Sequence, residues 1–135
     1  MGARAGAESV TLRQALPGGW LLESFVSRRD NGPARRPFGD RPSGLILYTT
    51  DGHMSAQLTP GPGREFVSYG GRFEVDEAAG TVTHHVLIAT MPELLLEPQI
   101  RSAHIEGDRL TLSARVISAD GEGTTHSTLV WRRDR

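Results

Sequence analysis

Residues 69–90, YGGRFEVDEAAGTVTHHVLIAT, read as two strands joined by a turn, and their parity decides the fold. Phe73 and Val75 alternate with Arg72, Glu74 and Asp76, the period-two pattern of a strand buried on one face. Asp76-Glu77-Ala78-Ala79-Gly80 supplies a hairpin loop with glycine near its end. Folding about that loop sets Val75 beside Val82 and Phe73 beside His84. His84, Val86 and Ile88 then share the inner face with Tyr69 and Gly71, and His85 points outward.

The same grammar extends in both directions. Further strands are expected near 20–27, 43–49, 53–59, 98–106, 109–117 and 124–132, with the central pair near 65–75 and 81–90. Thr50-Asp51-Gly52, Gly107-Asp108 and Asp120-Gly121-Glu122-Gly123 mark tight connections. A short N-terminal helix is expected before the first strand, capped by Ser9 or Thr11 and ended by Pro17-Gly18-Gly19. Residues 28–42, RRDNGPARRPFGDRP, are expected to form a long exposed, mobile connection. Eight strands in sequence make an all-β up-and-down meander, and closing it into an antiparallel barrel removes the unpaired edges. An open sandwich remains an alternative, because alternation does not prove closure.

Composition narrows the function. The 135 residues are expected to form a single domain, 1–135, with its core at about 18–132. Sixteen Gly and eight Pro favour short strands over long helices. The formal net charge of −1 provides no global field for nucleic acid or an anionic membrane, and neither is expected as a partner. No apolar run is long enough to span a bilayer, and MGARAGAESV lacks a signal-peptide core, so a cytoplasmic location is expected. Without cysteine there is no thiolate chemistry, and without lysine no Schiff base.

Several stretches resemble a known family. Gly19-Trp20 is similar to the Gly-x-Trp region of lipocalin and calycin proteins. The runs PFGDRPSGLILYTTDGHMSAQL (37–58), YGGRFEVDEAAGTVTHHV (69–86), EGDRLTLS (106–113) and LVW (129–131) resemble the small lipocalin-like domain family of bacteria and fungi. The likeness covers about residues 18–132. It implies an eight-stranded barrel with an internal cavity, but no one activity, since this fold hosts carriers, isomerases and cyclases alike. TPGPGREF (59–66) looks short against the family, which implies a more open barrel end there.

Parity then assigns the interior. Trp20, Leu22, Ser24 and Val26 face in on the first strand, with Glu23 outside. Ile46 and Tyr48 follow on the second, and Met54, Ala56 and Leu58 on the third. Arg101, Ala103 and Ile105 point inward on the sixth, Leu110, Leu112, Ala114 and Val116 on the seventh, and Ser127, Leu129 and Trp131 on the eighth. An apolar lining with a few polar groups and no carboxylate is the composition of a ligand pocket.

His84, Tyr69 and Arg101 are the catalytic candidates. His84 titrates near neutrality unless burial shifts it, Tyr69 offers a hydroxyl, and Arg101 is a cation with no inward acid to pair with. Ser24, Tyr48, Met54, Phe73, Val86, Ile88, Ser127 and Leu129 are the candidate ligand contacts. A neutral core histidine and an arginine snorkelling to the barrel rim are the structural alternatives. Trp20 and Trp131 read as core anchors sealing one end. No metal site is expected, since His84 and His85 point to opposite faces and no acid cluster accompanies them. No Ser-His-Asp triad is expected either, because no inner Asp orients His84. No cofactor is expected. MPELLLEP (91–98) lids the mouth, packs back on the barrel or joins a homodimer interface.

Two functions follow. One is a cofactor-free cyclase or isomerase acting on an apolar, polyketide-like natural-product intermediate held inside the barrel. The other is a non-catalytic carrier or sensor of a hydrophobic small molecule.

Overall fold

A computed structural model describes residues 10–117 and 123–135. A one-turn helix α1 (Leu12–Ala15) precedes nine strands: β1 (Gly18–Arg29), β2 (Ala34–Arg35), β3 (Ser43–Tyr48), β4 (His53–Thr59), β5 (Val67–Asp76), β6 (Thr81–Ala89), β7 (Gln99–Glu106), β8 (Arg109–Ile117) and β9 (Thr124–Asp134). All neighbouring pairs are antiparallel, and β9 returns to pair with β1 from Gly19–Asp134 to Arg29–Thr125. The closed barrel therefore has eight strands, as the meander implied, with the two-residue β2 added at Ser27 and Arg28 of β1. A sandwich is excluded.

One end is plugged. Thr11 caps α1 through a capping box with Gln14, each side chain accepting at 3.1 Å from the other's backbone N–H. Glu77, in the β5–β6 turn, accepts from the free N–H groups of Leu12 and Arg13 at 3.0 and 2.8 Å. This holds the helix against the barrel, so that Leu16 is wholly buried beside Trp20. The Trp20 indole N–H donates to the Leu16 carbonyl at 2.9 Å. Arg133 lies over the Trp20 ring at 4.0 Å and donates to the carbonyls of Pro17 and Ala15. Ser9, the other expected cap, lies outside the described residues, as do positions 120–122 of the turn before the last strand.

Two β-bulges correct the parity of the interior. In β1 the register slips between Leu22, opposite Trp131, and Ser24, opposite Val130. Glu23 is the extra residue, outside as expected, and it pairs with Arg109 at 3.0 Å and Arg132 at 3.4 Å. One extra residue flips every later side chain, so Phe25 turns inward opposite Leu129 while Ser24 and Val26 turn out. In β6 the slip falls between Val86, opposite Gly71, and Ile88, opposite Gly70. Ile88 is therefore 73% exposed, and Ala89 comes to face Tyr69 instead. Gly71 makes this bulge possible, since a Cβ there would lie 2.1 Å from the His85 carbonyl oxygen.

The arginine-rich connection is exposed along most of its length, as expected, but it is tied to the barrel. Through β2 it turns back to β1, and Phe38 meets Phe25 edge to face at 5.1 Å. Elsewhere the expected alternation holds. Along β7, Arg101, Ala103 and Ile105 alternate with more exposed Ile100, Ser102, His104 and Glu106. Val75 faces Val82 and Phe73 faces His84 across the β5–β6 hairpin.

Candidate functional site

Above the plugged end the barrel holds a cavity of about 320 Å³. That lies at the lower end of the range for small-molecule sites. Ile46, Leu112 and Trp131 form its apolar floor, and Phe25, Phe38 and Met91 stand at its mouth. Among the described residues the polar side chains on the lining are Tyr69, His84, Arg101 and Ser127, with no carboxylate.

Two tyrosines, one on the lining and one behind it, meet at one histidine. His84 is fully shielded from solvent on β6, and its Nε2 lies 2.7 Å from the Tyr48 hydroxyl on β3. Its Nδ1 lies 3.4 Å from the Tyr69 hydroxyl on β5. Phe73 packs edge to face on Tyr48 at 4.9 Å and buttresses it from β5. Arg101 is half-buried on β7, where it donates to the Ile100 carbonyl at 3.1 Å and to Gln99 Oε1 at 3.3 Å. Among the described residues no acid pairs with it.

Burial sets the protonation states. It lowers the His84 pKa from 6.5 to about 3, with help from the positive charge of Arg101 and from His85. Burial also pushes Tyr48 well above the usual tyrosine range, Tyr69 adding to that and Arg101 opposing it. Tyr69 moves up for the same first reason, again against the pull of Arg101. At neutral pH the cluster is thus a neutral imidazole between two neutral phenols, beside one fixed cation.

The structure brings together His84, Tyr69, Arg101, Ser127 and Leu129 on the cavity wall. Tyr48 stands behind His84 rather than on the lining, Met54 is buried in the core, and Phe73 acts through Tyr48. Val86 keeps its inward register but does not line the cavity. Ser24 and Ile88 lie outside the barrel, both displaced by the bulges. Trp131 is not only an anchor: it floors the cavity, and its indole N–H finds no partner among the described residues. Trp20 alone belongs to the sealed end.

Phe25, Phe38 and Met91 were not expected at the site. Phe25 needed the bulge to turn inward, whereas Phe38 could have been suspected as the one aromatic in a polar, proline-rich stretch. MPELLLEP contributes Met91 to the mouth and a single 3-10 turn at Pro92–Leu95, with Leu96 left exposed. Among the described residues no three His, Asp or Glu side chains gather as a metal-binding set. No helix there is long and apolar enough to cross a membrane.

No curated protein matches the sequence. The family model for the lipocalin-like domain matches residues 17–66 and 61–134, and the break falls in the segment that looked short against the family. With nearly the whole described barrel covered, the chain belongs to the lipocalin-like domain family.

Proposed function

We propose that the protein binds an apolar small molecule carrying one anionic oxygen, a carboxylate, enolate or phenolate, in the upper cavity. The observation that carries this reading is Arg101: a half-buried cation on an apolar lining, with no acid beside it among the described residues. A ligand anion there would gain charge-assisted hydrogen bonds while its apolar body fills the space over Trp131. Barrels of this family architecture suit such a small-molecule role.

The cyclase or isomerase reading draws on the same cavity. Tyr69 and Arg101 together would stabilise an enolate oxygen as it forms. His84 does not serve that reading as a proton shuttle, because a base with a pKa of about 3 is far from the operating pH. Binding is therefore the function the geometry supports best.

Native mass spectrometry of the protein as purified tests it. An adduct that is released on denaturation and ionises as an apolar acid is expected. A retained ligand that is basic or carries no oxygen would overturn the proposal.

A further inference from the structure

The Tyr48–His84–Tyr69 chain has a direction. A neutral imidazole carries one proton, so one ring nitrogen donates and the other accepts. The Tyr48 hydroxyl is buried with Nε2 of His84 as its one partner among the described residues. If Nε2 carried the proton, the Tyr48 oxygen would accept it and the Tyr48 proton would have no acceptor. Buried donors without acceptors are strongly disfavoured. If instead Tyr48 donates to Nε2, the imidazole proton sits on Nδ1 and donates to the Tyr69 oxygen. Every polar group of these three side chains is then satisfied except the Tyr69 proton, and Tyr69 lines the cavity.

We infer that Tyr48 is a positioning residue for ligand recognition: by donating to His84 it fixes the proton on Nδ1 and leaves the Tyr69 hydroxyl to donate into the cavity. This rests on the binding function proposed above and accounts for how the cavity recognises that ligand class. Ser27 and Ser127 share a hydrogen bond at 3.4 Å, so among the described residues the side chains that face the ligand unengaged are donors: Tyr69, Arg101 and the unpartnered Trp131 N–H. It therefore selects an oxygen without a proton of its own, a carboxylate, enolate or phenolate, over the corresponding alcohol or amide N–H. Tyr48 does this without touching the ligand.

The ring nitrogens of His84 report the tautomer directly. In the ligand-free protein at neutral pH, 15N NMR should show protonated Nδ1 and bare Nε2, with the signal assigned by its loss in His84→Gln. Tyr48→Phe should weaken that preference and give a mixture of the two tautomers, because neither form then satisfies both ring nitrogens. Binding is read with 8-anilinonaphthalene-1-sulfonate, an apolar anion, and with N-phenyl-1-naphthylamine, which has the same rings and no sulfonate. Tyr69→Phe should weaken the sulfonate probe roughly tenfold, the equivalent of one hydrogen bond to a charged group, and Tyr48→Phe should weaken it in the same direction by a smaller factor. The neutral probe should lose less affinity than the sulfonate in both variants. An Nε2–H tautomer in the wild-type protein, or Tyr48→Phe binding the sulfonate as tightly as wild type, would overturn the inference. Failure of the wild-type protein to bind either probe would instead count against the binding function, with the NMR result standing apart from it.

Discussion

Tyr48 and His84 meet at 2.7 Å inside the barrel, and the histidine is sealed completely from solvent. The contact joins β3 to β6 across the interior, and it ties folding to the neutral form of the imidazole. In the native protein His84 titrates at about 3, against 6.5 when exposed. The native state therefore holds fewer protons than the unfolded chain between those values. The stabilisation is complete above pH 6.5 and is lost as pH falls toward 3, at roughly 1.4 kcal/mol per pH unit. Urea unfolding at about pH 7.5 and about pH 5 should show this loss in the wild type. His84→Gln should be less stable at the higher pH and flatter between the two. A wild-type stability equal at both would contradict the assignment.

Trp20 and Trp131 are both buried, but they are held differently. Trp20 donates to Leu16 and is covered by Arg133, whereas the Trp131 N–H is unpartnered among the described residues. Replacing either with Phe removes similar volume, so the difference isolates the polar contacts. Trp20→Phe is expected to cost about 1–2 kcal/mol more than Trp131→Phe in equilibrium unfolding. Truncation of Trp20 to Ala should cost about 3–5 kcal/mol. Equal losses for the two Phe variants would show that Arg133 and Leu16 add nothing.

Gly71 and Gly80 should respond differently to a single methyl group. At Gly80 a Cβ meets open space, but the backbone is left-handed at φ 68°, so Gly80→Ala should cost about 1–2 kcal/mol. At Gly71 the new Cβ would lie 2.1 Å from the His85 carbonyl, backbone against backbone. Gly71→Ala should lose at least about 3 kcal/mol, because the β6 bulge cannot close around it. Thermal unfolding of the pair measures the contrast, and a mild Gly71 variant would mean that the bulge moves easily.

The sequence disclosed the barrel well and its interior only in part. The β5–β6 hairpin was readable because Phe73, Val75, Val82 and His84 alternate cleanly with charged neighbours up to the bulge. Beyond it, parity failed. A single extra residue leaves no mark in a period-two pattern, so Glu23 and Leu87 each inverted what followed, hiding Phe25 and misplacing Ser24 and Ile88. Gly70-Gly71 hinted at an irregularity without saying that the partner strand would hold the extra residue. The cluster of His84, Tyr69 and Arg101 was legible because no extra residue interrupts β5 or β7, and His84 precedes the one in β6. The burial that holds His84 neutral depends on Tyr48 and the packing around it, which no local pattern encodes.

The central claim is that Arg101 anchors an anionic oxygen inside an apolar barrel. Fluorescence titration of wild type and Arg101→Met with 8-anilinonaphthalene-1-sulfonate and N-phenyl-1-naphthylamine tests it most directly. Methionine keeps the apolar stem and removes the charge. The account predicts that the sulfonate loses roughly 1.5–3 kcal/mol of binding free energy in the variant, the scale of hydrogen bonds to a charged group, and that the neutral probe is unaffected. Equal sulfonate affinity in the two proteins would contradict it and return Arg101 to the barrel rim.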